Sequence, residues 1–344
     1  MKRDRYVFSC LSGYNIYTQS DDQAHPWVHL FSSEQVNFRE LPQSGDGDRA
    51  AEREKWRAFI EYPVDIRQFL WPVDLVELPE NNRLAWVFKE RPMPKRRPIK
   101  DLLYLPPSRL GWKNERVMRT VRSLLTAFGE LHAGGYVYHA FDIRTIYVED
   151  KTDEVVVDFS HAMARHLFRA DHRDIVYKDD VLIEYQPPWA DYLEKPIAVS
   201  SLYDDYYSIA AMLFKLMVGL LPYQGKSTGG YYNRLRNPLN DDSVYYEQMM
   251  RQYFLRDAPD SAGSRGKERA IPVFVFDPDD DSNAIGEFSE DELLTERWEE
   301  LPGEIREMFL KTFSKDNSRL APERRTLYSA GEWLSALQRA NLIL

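Results

Sequence analysis

Cysteine is almost missing from this chain: Cys10 stands alone among 344 residues. One thiol excludes an intrachain disulfide and any zinc site built from several cysteines. Missing too is an uninterrupted apolar run approaching the ~20 residues that a membrane-spanning helix needs. The N-terminus, MKRDRYVFSCLSGYN, starts basic, but its apolar run is too short and polar for a signal peptide. A cytoplasmic location is the expectation. Positive charge is in deficit, with a formal net charge of −10. That balance argues against non-specific nucleic-acid binding, which needs a basic surface. The run Lys95-Arg96-Arg97 reads as a solvated loop.

What is present describes an ordinary globular protein, 43% hydrophobic and 29% charged. The length suits two domains or one large one, and is ample for a sizeable core. The 21 tyrosines and 8 tryptophans are expected mainly as large core side chains.

The first hundred residues read as strand-rich. Arg5 to Leu11 and Asn15 to Thr18 flank a Ser12-Gly13 turn, and Trp27 to Phe31 is a further short strand. A helix is expected from about Asp48 to Glu61, with Trp56, Phe59 and Ile60 on one face and Pro63 as its stop. Asp74–Leu78 and Arg83–Lys89 flank a Pro-Glu-Asn-Asn turn, a hairpin pattern. The segment ERPMPKRRP at 90–98, with Pro92, Pro94 and Pro98, is expected to be irregular. Beyond it helices dominate. Asn114 is an N-cap, and Val117, Val121, Leu124, Leu125, Phe128 and Leu131 recur at helical spacing. Gly134-Gly135 ends that helix. Tyr206 to Gly219 is apolar on all sides, as a buried helix is. Residues 257–269 read as a flexible polar insertion, and 272–283 as a short strand running into an acidic loop. Helices are expected at about 303–314 and 326–341, and no internal repeat is visible.

Leu131 to Ser160 holds the most informative pattern: a helix end, a glycine stop, a tight turn, and a hairpin finishing on Asp158-Phe159-Ser160. Tyr138-His139-Ala140-Phe141-Asp142-Ile143-Arg144-Thr145, then Ile146-Tyr147-Val148, follows the layout of a HRDxKxxN catalytic loop and the strand after it. Asp158-Phe159-Ser160 falls where D-F-G is expected. Tyr185-Gln186-Pro187-Pro188 parallels Y-x-A-P, and Asp205-Tyr206-Tyr207-Ser208-Ile209 parallels D-x-x-S-L. Gly219, Pro222, Tyr223 and Gly225 parallel G-x-x-P-F-x-G, and Arg325-Thr326, ahead of a helix with Trp333, parallels a closing R-x-T. In this order and at these distances, the chain resembles the protein kinase superfamily, and within it the bacterial serine/threonine kinase-like branch.

The resemblance implies an α+β, two-lobed protein-kinase-like fold. A small β-rich N-lobe would span 1–90, a hinge 91–100, and a larger, mainly helical C-lobe 101–344, with an insertion around 226–300. It implies ATP and magnesium as cofactors, with binding of neither as the alternative. The departures fall on the chemistry. Phosphoryl transfer needs a group that orients the attacking hydroxyl, cations at the phosphates, and carboxylates that hold magnesium. Ala140 replaces the hydroxyl-orienting Asp, Asp142 reverses the charge of the phosphate-contacting Lys, and Thr145 replaces the magnesium-binding Asn. In the N-lobe, Gly13 is the single glycine of the phosphate loop. His29 stands in the lysine position, with Glu54, or secondarily Glu52, as its partner. Trp189 replaces the Glu of A-P-E. Asp158 is the one plausible metal ligand left.

Several of these residues have plainer roles. Asp158 either coordinates magnesium or caps the turn after its strand. His139 and Asp142 fit a hydrogen-bonded structural loop better than a relocated acid–base pair. Asp277, Asp279, Asp281 and Asn283 begin like a calcium loop, but Ser282 and Phe288 replace its required Gly and Glu, so they read as a solvated acidic face. His161, His166 and His172 lack metal-binding spacing. Asp205 is expected to hydrogen-bond the backbone of the catalytic loop and hold its shape. The functional expectation is a pseudokinase, a regulatory or scaffolding protein with an unidentified protein partner. The alternatives are an atypical active phosphotransferase and an ATP-binding sensor without turnover.

Overall fold

The computed structural model describes residues 7–10, 15–17, 36–40, 59–64, 67–78, 83–89, 95–103, 105–138, 145–158, 164–165, 174–176, 197–199, 202–226, 273–286, 291–320 and 324–343. These residues form a mixed α and β protein, strand-rich before residue 100 and mostly helical after it.

Five antiparallel strands make the first sheet: β1 (Val7–Cys10), β2 (Asn15–Tyr17), β3 (Val36–Glu40), β5 (Pro72–Leu78) and β6 (Arg83–Lys89), in the order β2-β1-β5-β6-β3. The hairpin of β5 and β6 pairs Leu78 with Arg83, where the turn residues predicted it. The strand expected at Trp27–Phe31 and most of the helix expected from Asp48 lie outside the described residues; 59–61 are helical.

A second sheet runs β4-β10-β9-β7, from β4 (Phe69–Leu70), β7 (Arg96–Pro98), β9 (Ile146–Glu149) and β10 (Val155–Asp158). All of β10 is buried, which explains its unbroken Val-Val-Val run. It pairs antiparallel with β9 and parallel with β4, matching Asp158 to Leu70. The expectation that 90–98 lacks regular structure fails at β7, which pairs with β9. As an edge strand, β7 tolerates Pro98, whose missing N–H leaves no interior ladder bond unmade.

The helices are α1 (Lys100–Leu103), α2 (Glu115–Ala133), α3 (Leu202–Met217), α4 (Asp291–Glu300), α5 (Gly303–Phe313), α6 (Lys315–Arg319) and α7 (Ala330–Arg339). In α2 the Asn114 side chain accepts from Arg116 N at 3.0 Å, and the predicted apolar stripe is buried. At its end Gly135 supplies the positive φ, +81°, while Gly134 stays right-handed. Every residue of α3 from Tyr207 to Met217 is buried, as its all-round apolarity requires. The last helix starts at Ala330 rather than near 326, where Ser329 and Glu332 form a reciprocal capping box.

Two departures from expectation lie between residues 273 and 300. Residues 273–274 are irregular and 275–276 lie in a turn, rather than in a strand, and Phe274 joins the aromatic group around Phe214, at 5.2 Å between ring centroids. The helix α4, unforeseen, turns Leu294 and Trp298 into the core. One continuous core runs from Leu75 and Trp86 in the first sheet through α2 and α3 to Trp333.

Candidate functional site

The stretch around β9 and β10 is built as a braced hairpin. Its turn places Asp153 at φ +59°, a left-handed conformation that aspartate accepts more readily than most residues. The Asp153 carboxylate is buried and paired with Arg116 Nε at 2.5 Å and Arg119 Nη2 at 2.9 Å, both from α2. Ser123 of the same helix accepts from Val155 N at 2.8 Å. The hairpin is thereby fixed to α2 before it reaches Asp158.

A second brace comes from α3. Asp205, in its first turn, has no exposed surface. Its Oδ2 accepts from Tyr138 N at 2.6 Å and lies 3.0 Å from His132 Nε2. A carboxylate can only accept, so His132 Nε2 is the donor in this pair. The expected role of Asp205, holding the backbone that leads into residues 139–144, is what this geometry provides. Nearby, burial pushes the Tyr206 phenol above its ordinary pKa, with the charges of Glu332 and Asp205 adding to the effect.

Tyr138 connects the two braces. It follows β8 (Tyr136–Val137), which pairs with β11 (Ala164–Arg165), and it is wholly buried. Its phenol hydrogen-bonds the Thr145 hydroxyl and lies 3.5 Å from the Asp158 carbonyl oxygen. Asp158 N donates to Thr145 O at 2.7 Å. Tyr138, Thr145 and Asp158 therefore form one hydrogen-bonded group.

Of the sequence-predicted site residues, the structure brings Thr145 and Asp158 together. His29, Glu54, His139, Ala140 and Asp142 lie outside the described residues, as do Glu52, Trp189 and the three histidines at 161, 166 and 172. Tyr138 opens the loop pattern in the sequence without a role of its own there, and His132 stands outside every motif. A signal for His132 was available: it sits four residues after Phe128 of the buried stripe, so the same helical face carries it inward.

The described donors, Asp158 and Thr145, are fewer than a divalent cation takes. Magnesium takes oxygen ligands in near-ideal octahedral geometry, usually with one or two carboxylates. Among the described residues beside Thr145 the carboxylate is that of Asp158, 6% exposed, and the Thr145 hydroxyl is engaged by Tyr138. Among the described residues no group of three or more His, Cys, Asp or Glu could hold a metal ion. The acidic run at 277–283 is not wholly a solvated face. Asn283 is buried, and its amide donates to Tyr223 O at 3.0 Å and Val273 O at 2.7 Å.

No protein-family model matches the sequence, and no curated protein matches it either. Among the described residues no helix is long and apolar enough to cross a membrane.

Proposed function

We propose that the chain is a pseudokinase, a two-lobed kinase-like protein that regulates or scaffolds a protein partner without transferring phosphate. The observation that carries this reading is the pairing of retained braces with replaced chemistry. Asp205 keeps its hold on the segment entering residues 139–144. Within that segment and just after it stand Ala140, Asp142 and Thr145, where transfer chemistry needs Asp, Lys and Asn. Losing one of these would leave slow transfer. Losing all three removes stabilisation at several points of a single transition state. A buried network that serves shape rather than reaction survives such losses.

ATP titration, followed by calorimetry with and without magnesium, tests the reading. The expected result is no magnesium-dependent heat of ATP binding. Magnesium-dependent binding that Asp158→Asn abolishes, without transfer, would replace the scaffold by a nucleotide sensor.

A further inference from the structure

Residues 139–144 are flanked by Tyr138 and Thr145, and the two flanking side chains bond each other. Tyr138 is held at both ends. Its backbone N–H goes to the buried Asp205 of α3 at 2.6 Å, and its phenol goes to Thr145 and toward the Asp158 carbonyl at 3.5 Å. The ring packs edge-on against Phe128 of α2, 5.4 Å between centroids, which fixes its direction. The phenol thus reaches from the α2–α3 layer to the point where β9 begins and β10 ends.

We infer that the Tyr138 phenol is a built-in tether that fixes the two ends of the 139–144 segment, so that the site keeps its shape without a divalent cation. A metal ion between Thr145 and Asp158 would join the start of β9 to the end of β10 through oxygen ligands. Here the Tyr138 hydroxyl bonds Thr145, and Asp158 N donates to Thr145 O at 2.7 Å, so both contribute to that joining. The hydroxyl of Thr145, the weaker of the two metal donors, is committed to the phenol. The inference rests on reading the segment as a non-catalytic relative of a phosphotransfer loop.

The test uses the full chain and three variants, Tyr138→Phe, Thr145→Val and the double variant, melted with and without millimolar magnesium or manganese. Each single variant is expected to lose about 2 °C or more of melting temperature, and the double to lose little beyond the larger single loss, because both remove the Tyr138–Thr145 bond. The unsubstituted protein is expected to melt at the same temperature whether or not either ion is present. If Tyr138→Phe does not fold, Thr145→Val carries the stability test. Additive losses, or no loss in either single variant, overturn the tether. So does a magnesium- or manganese-dependent rise in the unsubstituted protein that Asp158→Asn abolishes. That last outcome, without phosphate transfer, sinks the tether and leaves the pseudokinase reading standing.

Discussion

Asp205 receives two hydrogen bonds on one oxygen while having no contact with water. Removing a buried acceptor leaves its donors unsatisfied, at about 1–3 kcal/mol for each stranded group. Asp205→Ala is therefore expected to lower the urea midpoint strongly. Adding His132→Ala to it should cost less than the sum of the two, since both changes break one contact. Glycine at 225 is fixed by space. A Cβ there would lie 1.7 Å from Asn283 O, so Gly225→Ala forces the backbone of residues 221–226 off the 273–284 segment. Overpacking of this kind costs typically about 1–3 kcal/mol, occasionally more, and circular-dichroism melts of the variant will show it. Gly219 was part of the same sequence pattern for a different reason, its φ of +114°. The sequence signalled both glycines by their spacing. It could not signal that Asn283 lies against one of them, because that contact joins positions far apart in the chain.

At the scale of elements, Arg297 links the helix α4 to the rest. Its guanidinium is buried, with burial lowering its pKa, and its Nη1 donates to Pro107 O at 2.6 Å and Val218 O at 3.1 Å. The carbonyl of Val218, just past the end of α3, belongs to the negative end of that helix, where a cation is favoured. Arg297→Met keeps the apolar stem but strands both carbonyls, and should lower stability by about 1–3 kcal/mol in urea unfolding. The 3-10 turn at 281–283 is tied to α6 by Asp280 and Lys315, 2.5 Å apart. The Lys315 hydrogen bond, then those from Ser282, hold the Asp280 carboxyl well below its ordinary range. The unfolded chain binds that proton first as pH falls, so this contribution is present above pH ~4 and is lost as pH drops below it. Between pH 5 and pH 2, on the order of the carboxylate range, the melting temperature of Asp280→Asn should fall less than that of the unsubstituted protein. Helices with a continuous apolar stripe, α2 and α3, were legible from sequence because local spacing encodes their burial. The helix α4 was not, since Glu292, Glu296 and Glu299 dilute its stripe and its cation turns inward. Likewise β7 takes its pairing from β9, some fifty residues away, and nothing within 90–98 announces it.

For the whole molecule, one core joins the first sheet to the helical layers. Phe59 stacks on Tyr136 at 5.2 Å, Trp71 meets the same ring at 4.9 Å, and Trp71 Nε1 donates to Phe59 O at 2.8 Å. Trp71 sits where the chain passes from β4 to β5, so the strand beside Asp158 is packed into the same core as the first sheet. Among the described residues Trp86, Trp333, Tyr136, Tyr138 and Tyr207 are core, the role expected of the aromatics, and the mixed α and β character was readable as well. The partners of Asp158 were less so: its sequence context raised a metal ligand or a turn cap, and the structure adds Tyr138 and Thr145 around it. The claim that the site keeps shape without chemistry meets its most direct test in a phosphate-transfer assay. Purified protein, free of contaminating kinase, is incubated with γ-labelled ATP and magnesium, with general protein substrates and without. The account predicts no label on the chain or on any substrate. Label transferred by the unsubstituted protein and abolished by Asp158→Asn would contradict it.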